Sequence, residues 1–511
     1  MKLNTYLQKM TQPQWLKLYL LAALLIVSKI MYNQHGWVNN DSLLYFEQAR
    51  LIAAGQWQQA YNLFSWPFYP SLLALIHKVT TVEIQSAAIA LNIVCFVLFV
   101  AGFQHLLLEA GAKLRTLHWG HGLLFSTQYL VGSVLGMLLR DEGFWAAYTW
   151  GLVYWLRSLK NQRWRDLLAF QAMMVIATLF RIEAAVYLLA LPLCLLVYTS
   201  LPLSERIKLW LRANSLSLYA ALLLGIAICT GSIELQQLGR LQEIVTQITR
   251  LFGERISFIQ QKAAIISNQV LGEDLDEYGL FSLWVALILI AISKTLKTAG
   301  LPALIALCWP KQSWWSRLSA PAKHLALATL VISFVVSLVI LLNVFVLSSR
   351  YVIASGIVFI FVAAFAMADW QSRWPKTASR IFAGLLVAML AYSLWDKNPI
   401  DLDRQAVDFI QTINPQHQPV FYDTENARFY AHQPYQDRVL GHKLFPQLVK
   451  QQTIPQYDYY MITISKDDVD IAYEKLALQT LHDANFKLVK TFYGWRGKSK
   501  VMIFSKQAVT P

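Results

Sequence analysis

The chain has 511 residues, of which 56% are hydrophobic and only 14% charged, with a mean hydropathy of +0.41. Such a composition excludes an ordinary soluble globular protein and points to many membrane spans. The net charge of +14 does not indicate nucleic acid, because the basic residues cluster in short loops between apolar runs, as the positive-inside rule requires.

Lys2, Lys9 and Lys17 precede the first apolar run, 18–31. No small-x-small cleavage site follows it, so a retained first span is expected rather than a signal peptide. Further apolar runs near 86–108, 117–138, 143–157, 167–180, 184–200, 214–233, 294–310, 324–347, 351–369 and 380–395 bring the expectation to about 11 transmembrane helices, with the first at 16–33. The run 281–293 is short, and is either an additional span, a re-entrant piece or an interfacial helix. With a cytoplasmic N-terminus, every basic cluster falls inside: Lys113 and Arg115; Arg157 to Arg165; Arg206 to Arg212; Lys311 to Lys323; Arg373 to Arg380. That arrangement requires 281–293 not to add a lone crossing. Cys95, Cys194, Cys229 and Cys308 all lie in apolar runs without metal-site spacing, so neither disulfides nor zinc are expected.

The opposite side then receives an outer loop at 34–85, a second at 234–280, and the tail. The domain reading is a multi-span domain at 1–395 and a periplasmic α/β domain at 396–511. In the tail, 420–422, 457–465, 486–493 and 500–504 read as strands, and 427–431 and 469–482 as helices, with strand order left open. No internal repeat and no Gly-rich phosphate loop is present.

The first outer loop opens with Asn39-Asn40-Asp41-Ser42-Leu43-Leu44-Tyr45. Asp41, Tyr45, Gln48 and Ile52 fall on one face of a predicted amphipathic helix that Gly55 stops. Asp41 alone reads most simply as a helix cap. Its weight comes from other charges expected on the same side. Arg140-Asp141-Glu142 sits between two apolar spans, where charges are costly and often functional; a solvated turn opening a helix is the plainer reading. Arg181 and Glu183 repeat the pattern, with a snorkelling arginine as the equal alternative. Arg350-Tyr351 reads as a snorkelling arginine beside an interfacial tyrosine, or as a guanidinium that holds an anionic head group. Lys78, after His77, is an interfacial anchor or a second phosphate contact. Trp66-Pro67-Phe68-Tyr69-Pro70 reads as an aromatic turn anchored at the membrane surface. The acidic run Glu273, Asp274, Asp276, Glu277 reads as a solvated loop face, with acceptor recognition or metal binding as the lesser alternative.

Carboxylates and arginines on one side of a membrane suit transfer from a lipid-phosphate donor. A carboxylate deprotonates an acceptor hydroxyl, and arginines stabilise the departing phosphate. No nucleotide cofactor is then needed.

This pattern resembles the GT-C glycosyltransferases. It is most similar to the dolichyl-phosphate-mannose-protein mannosyltransferase-like group, in the bacterial branch with the lipid A aminoarabinose transferases and the RgtA/B/C/D-like enzymes. The resembling residues are Asp41-Ser42-x-x-Tyr45 with Ala49 and Gly55, the segment 67–75, Arg140-Asp141-Glu142, Arg181-Ile182-Glu183 and Arg350-Tyr351. The resemblance implies a GT-C-like fold, a polyprenyl-phosphate-linked sugar as donor and an inverting transfer to a glycan, lipid or protein acceptor at the periplasmic face of the inner membrane. Asp41 matches the first-loop catalytic acid, Asp141 or Glu142 the second-loop acid, and Arg350 a donor-phosphate contact. Arg140, Arg181, Glu183, Tyr351, Tyr45 and Lys78 join as candidate substrate-binding residues. Relatives differ in their use of a divalent metal, so metal dependence stays open. The aminoarabinose transferases carry an arginine shortly after the first-loop acid and a later Lys-Pro-Pro segment; here stand Leu43-Leu44 and Trp66-Pro67-Phe68. Alternatives are a transporter or flippase of lipid-linked sugars, which would show inverted repeats, an O-antigen polymerase or ligase-like enzyme, and a structural membrane subunit.

Overall fold

The computed structural model describes residues 10–197, 202–232, 242, 246, 254–308, 314–396, 401–437, 439–465, 468–494, 497 and 499–506. The chain is a predominantly helical, multi-span membrane protein with a small C-terminal α/β domain. Its helices are α1 (Gln12–Asn33), α2 (Asn40–Ala53), α3 (Trp57–Leu63), α4 (Phe68–Thr80), α5 (Ile84–Glu109), α6 (Leu114–Phe125), α7 (Asp141–Asn161), α8 (Trp164–Phe180), α9 (Ala184–Leu193), α10 (Leu203–Ala213), α11 (Ser215–Cys229), α12 (Glu254–Ile265), α13 (Gly279–Ala299), α14 (Leu301–Cys308), α15 (Ala320–Val344), α16 (Ile353–Arg373) and α17 (Lys376–Leu394). The tail adds α18 (Leu402–Ile413), β1 (Val420–Tyr422), α19 (Glu425–Tyr430), α20 (Gly441–Lys450), β2 (Tyr459–Ser465), α21 (Asp468–Asp483), β3 (Lys487–Tyr493) and β4 (Ser499–Ser505).

Among the described residues, six helical segments are long and apolar enough to cross a membrane: α1, α5, Asp274–Ala299, α15, Ser349–Arg373 and α17. The pair α10 and α11 qualifies as a seventh, bent by 56°. Two expectations change. The apolar run 117–138 is not one span: α6 ends at Phe125, and a π-helical turn, Leu130–Val134, follows. Ser126 and Thr127 donate their hydroxyls to the Leu123 carbonyl, at 3.1 and 2.8 Å, in competition with helix continuation. The expected span at 294–310 is replaced by one helix over 279–299, which absorbs the ambiguous run 281–293. Gly300, at φ +80°, ends it, and Pro302 follows. Its neighbour α14 covers about 12 Å over its described residues. One long apolar helix therefore stands where one span was expected. Part of the expected outer loop at 234–280 is helical, as α12, and part lies outside the described residues.

The chain divides into two compact units. The first comprises 1–31, 65–76 and 81–395. Its centre is the α5, α7 and α8 packing, where Trp145, Trp155, Tyr148 and Phe170 are fully buried. Gly151 lets the Met174 side chain lie against the α7 backbone, since a methyl group there would meet Met174 Cε at 2.8 Å.

The second unit comprises 32–64, 77–80 and 396–511. Its sheet order is β1-β2-β4-β3, with β1 parallel to β2 and the other pairings antiparallel. One sheet face packs on α20 and α21 through Phe445, Tyr460, Tyr473 and Phe504, and the other on α18 through Val407, Ile410 and Met461. The strands and helices expected in the tail appear, joined by α18 and α20, which the sequence reading missed. Asp401 caps α18 by accepting from Arg404 N at 3.1 Å. The unit also holds the segment 32–64. Asn426 Nδ2 donates to the Val38 carbonyl (3.0 Å), Arg404 Nη1 to the His35 carbonyl (2.6 Å), and His35 Nε2 lies 3.0 Å from Asp396.

Beyond the C-terminal end of β1, Asp423 is fully buried. Its Oδ2 accepts from Thr463 N (2.6 Å) and Tyr473 Oη (3.1 Å), tying β1 to β2 and α21. Burial outweighs these donors and pushes its carboxyl up to about 7. Burial likewise raises Asp403, which accepts from Thr424 Oγ1 at 2.8 Å, to about 6. Because both folded values lie above the unfolded value of 3.8, the stability they contribute is complete below about pH 4 and lost as pH rises through 6 to 7. Denaturant titration of the C-terminal unit is therefore expected to give falling stability from pH 5 to pH 8. Asp423→Asn should flatten that slope, and an unchanged slope would show that Asp423 is ionised throughout.

Candidate functional site: a buried charge network at the helix ends

The sequence between α6 and α7 contains Gly132, Ser133 and Gly136, which favour irregular backbone. The chain then turns at Leu138, at φ +53°, and enters α7 at Asp141. Asp141 and Glu142 occupy the first turn of α7, where the helix dipole favours negative charge. The partner turn lies between α8 and α9. Arg181 closes α8 in extended conformation, and Glu183 precedes α9. Gly143 allows the two to meet: a methyl group there would overlap the Phe180 ring.

The result is an ion pair between Arg181 Nη1 and Asp141 Oδ1, with the two side chains 5% and 2% exposed. Arg181 also donates to both oxygens of Glu183, from Nη2 at 3.3 Å and Nε at 3.4 Å. The second oxygen of Asp141 faces Arg350 Nη1 at 3.8 Å. Arg350 sits on a single 3₁₀ turn, Ser349–Val352, whose start is capped by Ser348. It is 31% exposed, the more open of the two arginines on Asp141. The Tyr351 ring lies 5.1 Å from the Arg181 guanidinium, in cation–π range. Arg140, half-buried, completes the positive side, and its charge acts on Glu183.

Glu142 is held differently. It is fully buried; its Oε2 accepts from Asn92 Nδ2 at 3.1 Å, and its Oε1 has no hydrogen-bond partner among the described residues. Asn92 also donates to the Leu139 carbonyl (2.9 Å) and accepts from Tyr69 Oη (3.0 Å). Asn92 was missed in the sequence, and Tyr69 was read there only as part of the aromatic turn at 66–70. The available signal was an amide in the middle of an otherwise apolar span, where polar side chains mark packing or function. In the aromatic turn at 66–70, Trp66 Nε1 donates to the Leu179 carbonyl at 2.7 Å, and Phe68 packs edge-on against Phe180 at 5.0 Å.

Asp141, Glu142, Arg140, Arg181, Glu183, Arg350 and Tyr351 thus belong to one cluster in the first unit. Asp41, Tyr45 and Lys78 belong to the second. Asp41 does not cap its helix. Asn39 does, its Oδ1 accepting from Asp41 N at 3.0 Å, while the Asp41 side chain is exposed in the first turn of α2. Tyr45 is buried against Phe64. Lys78 is exposed in the last turn of α4. The acidic run at 273–277 forms a short 3₁₀ segment. Among the described residues, no three His, Cys, Asp or Glu side chains are grouped to hold a metal ion.

No family model matches the chain, and no curated protein matches it. Among solved structures, it is similar to ArnT from Cupriavidus metallidurans bound to undecaprenyl phosphate, at 13% identity over 98% of this chain and 100% of that one, with a TM-score of 0.42. The apo state of the same enzyme gives 14% identity over 96% and 97%, with a TM-score of 0.40.

Two expectations test the network. Arg181→Met strands the Asp141 charge and should cost about 3–5 kcal/mol in thermal or denaturant stability of the solubilised protein. Adding Asp141→Asn should recover part of that loss; strict additivity would mean that the pair does not couple. Gly143→Ala should cost about 1–3 kcal/mol by forcing α7 and Phe180 apart.

Proposed function

We propose that the protein is a membrane glycosyltransferase that moves a sugar from a polyprenyl-phosphate carrier to a hydroxyl of a glycan, lipid or protein acceptor, at the periplasmic face of a bacterial inner membrane. The observation that carries this reading is the ion network on Asp141. Two guanidiniums converge on one buried carboxylate at the ends of membrane-embedded helices. A chain this poor in charge keeps such a cluster at a cost in desolvation, which favours a role in handling an anion.

In this reading Arg350, the more exposed arginine, binds donor phosphate oxygens, and Asp141 together with Arg181 fixes its approach. Glu183 and the Tyr351 ring hold the Arg181 plane. Asp41, assigned by the resemblance, takes the proton of the acceptor hydroxyl. That oxygen attacks the anomeric carbon from the face opposite the phosphate, and the bond between that carbon and the phosphate oxygen breaks. The electron pair leaves with the polyprenyl phosphate, whose charge Arg350 neutralises; the sugar is delivered with inversion. Glu142, which accepts from Asn92, stands beside Asp141 in the first turn of α7. A transporter reading finds less support, because the charges gather at helix ends rather than in matched repeats.

The test is transfer from undecaprenyl-phosphate sugars in membranes containing the purified protein. Asp41→Asn and Arg350→Gln should each lower transfer by about 100-fold or more, with folding intact. Asp41→Asn at wild-type rate would remove Asp41 as base. Arg350→Gln at unchanged rate and unchanged half-saturation by donor would remove the phosphate contact.

A further inference from the structure

A second ion cluster lies at the other end of α16. The segment Ser349–Arg373 is long and apolar enough to cross a membrane, and the 21 residues of α16 carry the chain about 30 Å from Arg350. The cluster therefore stands at the opposite membrane face, the one expected to be cytoplasmic, and has no part in the proposed transfer. Its centre is Asp369, 1% exposed. Arg317, from the short turn Trp314–Arg317 before α15, pairs with Asp369 Oδ1. Arg373, one turn on from Asp369, brings its Nη2 to 3.0 Å from Oδ2 and 3.3 Å from Oδ1.

Three properties separate this cluster from a solvated run of basic residues. Its guanidiniums are held in place. One buried carboxylate fixes both, while their side chains stay 48% and 44% exposed, so two forks of donors stand side by side at the surface. Its charge is unbalanced. Asp369 is the single acid between positions 314 and 395, against Arg317, Lys323, Arg350, Arg373, Lys376 and Arg380, and all of these except Arg350 lie toward this end. Finally, it sits among interfacial aromatics and above apolar surface. Trp370 stacks on Trp374 at 4.3 Å and meets Phe382 at 6.1 Å, which brings the start of α17 beside the cluster. From there Ile381 and Leu385 on α17, and Leu327 and Val331 on α15, are exposed along the two helices.

We propose that this cluster is a binding site for an anionic phospholipid. The phosphodiester oxygens accept from Arg317 and Arg373, a pairing that suits the planar fork of each guanidinium. The acyl chains lie along the exposed apolar residues of α15 and α17. Inorganic phosphate offers the same oxygens but gains nothing from that apolar surface, so the lipid is the favoured occupant. The bound lipid ties the turn before α15 to the end of α16, and the site stands whether or not the chain transfers sugar.

The experiment is native mass spectrometry, with thermal unfolding alongside, on the full chain in a neutral detergent. The probes are phosphatidylglycerol, phosphatidylcholine and inorganic phosphate. Phosphatidylglycerol should be retained in preference to phosphatidylcholine and should raise the unfolding temperature. Arg317→Gln should weaken its retention by about tenfold. The double variant Asp369→Asn with Arg317→Gln, which strands no buried charge, should do the same with the fold kept. Arg165→Gln, a change at an exposed cation where α8 begins, should leave retention intact. Equal retention of the two lipids, unchanged retention in both cluster variants, an equal loss in Arg165→Gln, or displacement of the lipid by inorganic phosphate would overturn the proposal.

Discussion

The structure of the first unit depends on one buried contact, the ion pair of Arg181 with Asp141. Two charges removed from water demand near-complete compensation. The compensation here is distributed. Glu183 takes the far edge of the Arg181 guanidinium, Tyr351 offers its ring face, and Arg350 approaches the other oxygen of Asp141. The participants come from three turns, so the pair fixes where α7 begins, where α8 ends and where the segment before α16 must pass. Gly143 follows from the same demand, because only a residue without a side chain lets α7 press on Phe180 at that point.

Against this background Asp141 and Glu142, neighbours in sequence, have separate chemistry. Asp141 faces two cations. Among the described residues, Glu142 accepts from a neutral amide. The division comes from the helix itself: consecutive positions point about 100° apart, one toward the arginines and one toward α5.

How much of this was legible depends on the kind of signal. Charged residues stand out in an apolar chain, so Arg140, Asp141, Glu142, Arg181, Glu183 and Arg350 could be singled out without a structure. Their partners could not. Asn92, Tyr69 and Gly143 matter through packing distances, which composition does not encode. Apolar runs located the spans but not their ends: the 117–138 run has the hydropathy of a helix while Ser126, Thr127 and Gly132 break it, and Gly300 decides between two equally apolar neighbours. Asp41 looked like a cap because its residue type suits one, but Asn39 sits where the backbone needs an acceptor. In the tail, strand content was clear from β-branched and aromatic residues. The amphipathic α18 was missed although Ala406, Val407 and Ile410 mark its buried face.

The second unit joins pieces of chain made at opposite ends of synthesis. Asn426 bonds the carbonyl of Val38 across 388 residues, and Arg404 holds His35 across 369. At about 5–20 residues per second, a ribosome needs on the order of 20–80 s to travel between them. Throughout that interval the segment 32–64 lacks the tail it packs on, and its apolar face, including Phe46, must be shielded by something else. Maturation of this unit therefore has a late step: until the sheet of the tail is made, the segment 32–64 waits unfinished.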